Sequence, residues 1–155
     1  MSFEPIHRGS SPTKANKMRV ALSVRPDPRG NDYRQANFYV SKKVAEAIGV
    51  RPGGPARFAV EVGRHVDAGL VRLCASDDGG YRPCTQGGRR LNSYEIRISA
   101  AHLDDPVTGW RVPPHKVSDC KIVNMDCNSR EVLILLPEWA RPRAVERIED
   151  HRVAG

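Results

Sequence analysis

The sequence predicts a β-rich α+β fold, and three observations carry that expectation. Apolar and polar residues alternate through several segments, among them Met18, Val20, Leu22 and Val24, then Phe58, Val60 and Val62, then Val132, Ile134 and Leu136. Successive strand side chains point to opposite faces, so this period marks strands with one buried face. Residues 42–48 switch to helical spacing, with Val44, Ala47 and Ile48 on one stripe. Turn formers separate the segments, as in Pro26-Asp27-Pro28-Arg29-Gly30-Asn31-Asp32 and Asp77-Asp78-Gly79-Gly80.

In chain order, residues 1–17 are polar and predict a flexible arm without a core of its own. Residues 17–25 and 33–40 form a β-hairpin whose tip carries Arg25, Arg29 and Arg34. Ser41 is placed to cap the helix that follows, since its hydroxyl can accept an N–H of the first turn. Gly49 stands where a left-handed C-cap belongs, and Pro52 prevents continuation. Alternation returns at Phe58, Val60 and Val62 and again at Leu70, Val71 and Leu73, giving a second hairpin.

The run Phe38-Tyr39-Val40-Ser41-Lys42-Lys43-Val44-Ala45-Glu46-Ala47-Ile48-Gly49-Val50-Arg51-Pro52-Gly53, followed by Arg57-Phe58-Ala59-Val60-Glu61, resembles the swapped-hairpin domain of the AbrB/MazE transition-state regulators and antitoxins. The resemblance covers about a quarter of the chain. Ser41 stands where that family commonly opens its helix with proline, and Ala45 and Glu46 stand where an arginine is common. The resemblance implies a swapped-hairpin or double-psi-like small barrel.

The plan then recurs in degraded form. Ile96 answers Phe38, Ile98 answers Val40 and Ser99 answers Ser41, with residues 100–104 as a second short helix ended by Pro106. Residues 81–93 correspond to the first hairpin, and their loop, residues 86–90, again combines glycine with arginine. Residues 107–114 form a connection holding Trp110. Residues 116–125 and 131–136 close the second unit, with Val123 and Met125 among its apolar faces. The expectation is two degenerate ββαββ units, 18–76 and 81–136, sharing one barrel over 18–136, as a pseudo-twofold monomer or a homodimer. The tail, 137–155, is mixed in charge, with a short amphipathic helix expected near residues 143–151.

With 155 residues and 39% hydrophobic content, the chain can form one domain with a core. A net charge of +7 favours polyanionic partners. No apolar run approaches the ~20 residues of a membrane span, and the N-terminal segment lacks a secretory apolar region, so no membrane partner and a cytoplasmic location are expected. Cys74, Cys84, Cys120 and Cys127 include no pair with zinc-clamp spacing and read as reduced thiols, although Cys120 and Cys127 could face each other across a hairpin.

No catalytic residue, metal site or cofactor is predicted. His7, His65, His102, His115 and His151 are scattered, none at ligand or triad spacing with Asp, Glu or Cys. Gly53-Gly54-Pro55 lacks the Lys-Ser/Thr of a phosphate-binding loop. The family resemblance implies a non-enzymatic, DNA-binding transcription regulator that contacts double-stranded DNA through basic hairpin loops. Its matching positions are Arg19, Arg25, Arg29 and Arg34, with Lys42 and Lys43 opening the helix. The second unit adds Arg82, Arg89, Arg90 and Arg97, and the arginine ribbons are expected on a common side. An alternative is a protein-binding or assembly module of phage-structural or antitoxin-partner type, using the arm and the tail as its contacts.

Overall fold

Cross-strand pairing gathers the alternating segments into two four-stranded antiparallel sheets. The computed structural model describes residues 18–30, 33–51, 56–83 and 93–142. Sheet one contains β1 (Val20–Pro26), β2 (Arg34–Ser41), β5 (Ser93–Ser99) and β6 (His115–Asp119), in the order β5-β2-β1-β6. Sheet two contains β3 (Arg57–Val62), β4 (Leu70–Ser76), β7 (Lys121–Asp126) and β8 (Glu131–Leu135), in the order β3-β4-β8-β7. One short helix, α1 (Lys42–Ala47), follows β2.

The strand period puts Leu22, Val24, Phe38, Val40, Ile96 and Ile98 of sheet one into the same buried cluster as Phe58, Val71, Leu73, Val132 and Ile134 of sheet two. Each large apolar side chain so buried contributes about 1.5–3 kcal/mol. This shared core orients both sheets, and on the opposite face of sheet one Ala21, Ser23 and Asn37 are buried as well. Val44, Ala45 and Ile48 bring α1 into the same cluster.

The ends of α1 follow the sequence signals. The Ser41 hydroxyl accepts the Val44 N–H at 3.4 Å. At the other end Gly49 has φ +92°. Its N–H donates to the Glu46 carbonyl at 3.0 Å and the Val50 N–H to the Ala45 carbonyl at 2.9 Å. Those paired bonds are a Schellman motif, and Val50 and Ala45, both buried, supply its apolar contact.

Four features differ from the sequence expectation. Among the described residues the two sheets are open, and no ladder closes them into a barrel. The single strand expected over residues 116–125 divides at Cys120, whose N–H donates to the Val20 carbonyl at 2.8 Å. There the chain leaves sheet one as β6 and enters sheet two as β7. Val123 does not face the core: it is 49% exposed. The β7–β8 register slips between Ile122 and Asn124, so Val123 is the extra residue of a β-bulge, and Ile122 and Met125 pack inward instead. Finally, the docked chain continues past residue 136, since Ala140 is fully buried and Trp139 packs against the core. The short helix expected after Ser99 forms as a 3₁₀ turn, Ala100–Leu103, with the Ser99 hydroxyl accepting the Ala101 N–H at 3.4 Å.

Candidate nucleic-acid interface

The first hairpin is built by uninterrupted pairing from Val20↔Val40 to Pro26↔Arg34. Its turn is held by the Asp27 N–H donating to the Tyr33 carbonyl at 2.9 Å and by the Asp27 carboxylate accepting the Arg29 N–H at 2.9 Å. Short polar side chains of this kind fold back on the backbone two residues on and fix a turn. Arg25 and Arg29 are exposed at this tip, and neither has a carboxylate partner among the described residues.

Arg34, beside the turn of the same ribbon, is occupied differently. Its guanidinium grips the Asp104 carboxylate with both terminal nitrogens, one bond measuring 3.0 Å, and also donates to the Val112 carbonyl. Asp104 in turn accepts the Val112 N–H at 2.8 Å. The pair is largely desolvated, with side chains 11% and 19% exposed. Arg34 therefore ties β2 to the chain between Leu103 and β6.

Arg19 is ion-paired with Asp119, and its N–H donates to the Ser41 hydroxyl at 3.0 Å. Arg97 lies in the ladder opposite Asn37 on the outward side of sheet one, 3.5 Å from the Glu95 carboxylate. Its Nε and the Asn37 Nδ2 are buried without a partner among the described residues. Lys42 and Lys43 are exposed in the first turn of α1, the end at which a helix dipole disfavours cations. Arg82 is exposed beside Tyr81, which bridges Phe58. Arg89, Arg90 and both chain termini lie outside the described residues, as does the helix expected near 143–151.

These residues do not converge on one spot. Seven strand steps at about 3.4 Å separate Arg34 from Ser41, so Lys42, Lys43 and Arg19 lie roughly 24 Å from the hairpin tip. Ser93, the first described residue after the second arginine-bearing segment, pairs with Ser41 at that far end. It and the Arg29 turn are thus at opposite ends of β2 rather than side by side.

Sequence reasoning missed Arg51, Arg57 and Arg130. The first two flank the glycine-rich turn of the family-like motif, and the third precedes β8. Only strand register brings them together. They line a concavity of about 530 Å³ with Gly49, Ser76 and Asp77.

Other polar chemistry is dispersed. Burial pushes the Cys120 thiol up to about 12, helped by neighbouring Asp119. Cys74, Cys120 and Cys127 are free thiols, with Cys120 buried and Cys127 exposed at a turn, so they do not face each other. The Asp126 carboxyl is held below the ordinary range by the Ser129 hydroxyl and the N–H groups of Ser129 and Asn128. Exposed His115 stacks on Trp139, with ring centres 4.2 Å apart and planes 9° from parallel. Among the described residues no three His, Cys, Asp or Glu side chains group as metal ligands, and no helix is long and apolar enough to cross a membrane.

Comparison with known protein families, with curated proteins and with solved structures returns no match.

Proposed function

We propose that this protein is a non-enzymatic DNA-binding regulator that presents the β1–β2 ribbon to duplex DNA. The observation that carries this reading is the pair of exposed arginines at the ribbon tip, Arg25 and Arg29, unneutralised by any described carboxylate in a chain of net charge +7. β1 and β2 are the inner strands of sheet one, paired with β6 as far as Val24 and with β5 as far as Gln35, so the projecting part is the turn with Arg25 and Arg29, whose guanidinium groups can bind phosphate oxygens or guanine edges. Lys42 and Lys43 add charge at the far end of the same sheet. Arg19, Arg34 and Arg97 hold the sheet's neighbours in place and support the ribbon rather than reaching outward.

The AbrB-like swapped-hairpin reading belongs to the same proposal. Its support is the recurring strand, serine cap and short helical turn at Ser41 and Ser99, and the order β3-β4-β8-β7, which reads the same when the two hairpins are exchanged.

The test is a fluorescence-anisotropy titration of generic duplex DNA at several salt concentrations. We expect micromolar or tighter binding that weakens steeply with salt, and a log–log salt slope reduced by about 2 in Arg25→Gln/Arg29→Gln. Absence of binding at low salt, or an unchanged slope in the double variant, refutes the ribbon.

A further inference from the structure

We infer that the concavity at the end of sheet two is a phosphate-binding site formed by Arg51, Arg57 and Arg130. It lies on a different sheet from the β1–β2 tip and does not rest on the ribbon reading.

Three separate segments supply the cations. Arg51 follows the Schellman motif that ends α1, Arg57 opens β3, and Arg130 precedes β8. The register explains why they meet: Arg57 pairs with Ser76 at the end of β4, and the Ala75 N–H donates to the Arg130 carbonyl at 2.8 Å. The Arg130 guanidinium then turns toward α1, 3.5 Å from the Gly49 carbonyl.

Among the described residues lining the concavity, Asp77 is the one carboxylate beside these three arginines. Asp77 contacts Arg130 at 3.0 Å and is itself 85% exposed. Arg51 and Arg57 have no carboxylate partner among the described residues. Three cationic residues and one acid lining the same concavity leave it net positive, which favours an anion. Concave walls also focus the field on whatever enters. Guanidinium forks match phosphate oxygens with two parallel bonds, which makes a phosphate group the fitting anion. A volume of about 530 Å³ lies in the range of small-ligand sites. The same phosphate chemistry is carried by free nucleotides and by a nucleic-acid backbone.

Contrast Arg130 with a glycine at its place. Its φ of +56° lies in the left-handed region, where glycine is unstrained, so Arg130→Gly removes the guanidinium without demanding a new backbone.

The test is an NMR titration of the full chain, following arginine side-chain Nε–H signals. Inorganic phosphate is compared with chloride at matched ionic strength, followed by a nucleoside triphosphate and a short DNA duplex. We expect saturable shifts at Arg51, Arg57 and Arg130, and affinity lowered roughly tenfold in Arg57→Gln and in Arg130→Gly, with Arg25→Gln/Arg29→Gln unchanged. Competition by the triphosphate assigns the site to small phosphorylated ligands, and competition by the duplex alone assigns it to a phosphodiester backbone; either supports the site. Shifts equal to those from chloride, no saturation with any of the three, or full affinity in a folded Arg51→Gln/Arg57→Gln variant overturn it.

Discussion

Removing the Asp104 carboxylate tests whether Arg34 is a clamp or a DNA contact. In Asp104→Ala the guanidinium stays at 11% side-chain exposure with no carboxylate, and the Val112 N–H loses its 2.8 Å acceptor. Stripping one partner from a fully buried ion pair costs about 3–5 kcal/mol. Because Asp104 is 19% exposed, some water can reach the site, which places the cost near ~3 kcal/mol at the low end of that range. For a chain of this length that is a fall of roughly 9 °C in Tm, at about 3 °C per kcal/mol. Arg34→Met leaves Asp104 with the Val112 N–H and should cost about 2 kcal/mol. Arg34→Met/Asp104→Ala removes both charges and leaves mainly the Val112 N–H and carbonyl unpaired, again about 2 kcal/mol. Urea unfolding of the four proteins should therefore give a coupling of about 3 kcal/mol. Additivity within about 0.5 kcal/mol refutes the clamp. So does an Arg34→Met variant of wild-type stability that loses DNA affinity, since its guanidinium would then face the duplex.

Three further outcomes are expected. Gly49→Ala places a Cβ 3.1 Å from the Arg130 Nε at φ +92° and should lower stability by about 1–2 kcal/mol in chemical denaturation, the strain of a left-handed non-glycine residue. Iodoacetamide at neutral pH, read by peptide mass mapping, should label exposed Cys127 and spare Cys120 until the chain unfolds, because burial holds the Cys120 thiol protonated up to about 12. Asp126 titrates below the ordinary carboxylate value because of the Ser129 hydroxyl and neighbouring N–H groups. Its contribution is therefore complete above about pH 4 and is lost as pH falls through its lowered value; Asp126→Asn should flatten that acid limb of the Tm–pH curve.

What the sequence revealed and what it concealed divide along the range of the interactions. The cap at Ser41, the Gly49 terminus and the β1–β2 hairpin rest on residues within a few positions of one another, and local chemistry determines them. The bulge at Val123 was invisible because alternation alone assigns Val123 and Met125 to one face. Only pairing with β8 shows that a residue has been inserted between Ile122 and Asn124. The break at Cys120 likewise depends on a bond to Val20, a hundred positions away. For the site, sequence identified exposed Arg25 and Arg29 but grouped Arg34 with them, because Asp104 lies far along the chain. The arginines at 51, 57 and 130 could not be grouped at all before the register of sheet two was known.

The ladders also bear on how the two halves are related. The offset that carries Phe38 to Ile96 carries Ser41 to Ser99 and Gln35 to Ser93. The β2–β5 ladder pairs Phe38 with Ile96, Gln35 with Ser99 and Ser41 with Ser93. Those are the pairings that a twofold axis through Phe38 and Ile96 demands. In sheet two a single offset likewise carries Val71 to Val132 and Leu73 to Ile134, and the ladder pairs Val71 with Ile134 and Leu73 with Val132. Every antiparallel ladder obeys such a rule about its central pair, and the offsets differ, 58 residues in sheet one against 61 in sheet two, so the repeat stands on the Ser41 and Ser99 signatures and not on the pairing. Sheet one also carries β6 on its edge, paired with β1. The antiparallel register of β2 and β5 sets Ser93 beside Ser41 and not beside the Arg29 turn. A DNA contact built on such a plan would present its charges along the sheet, with Arg25 and Arg29 at one end and Lys42 and Lys43 at the other. Charge reversal at either end should then weaken duplex binding independently of the other, whereas a single clustered site would show the two changes coupled.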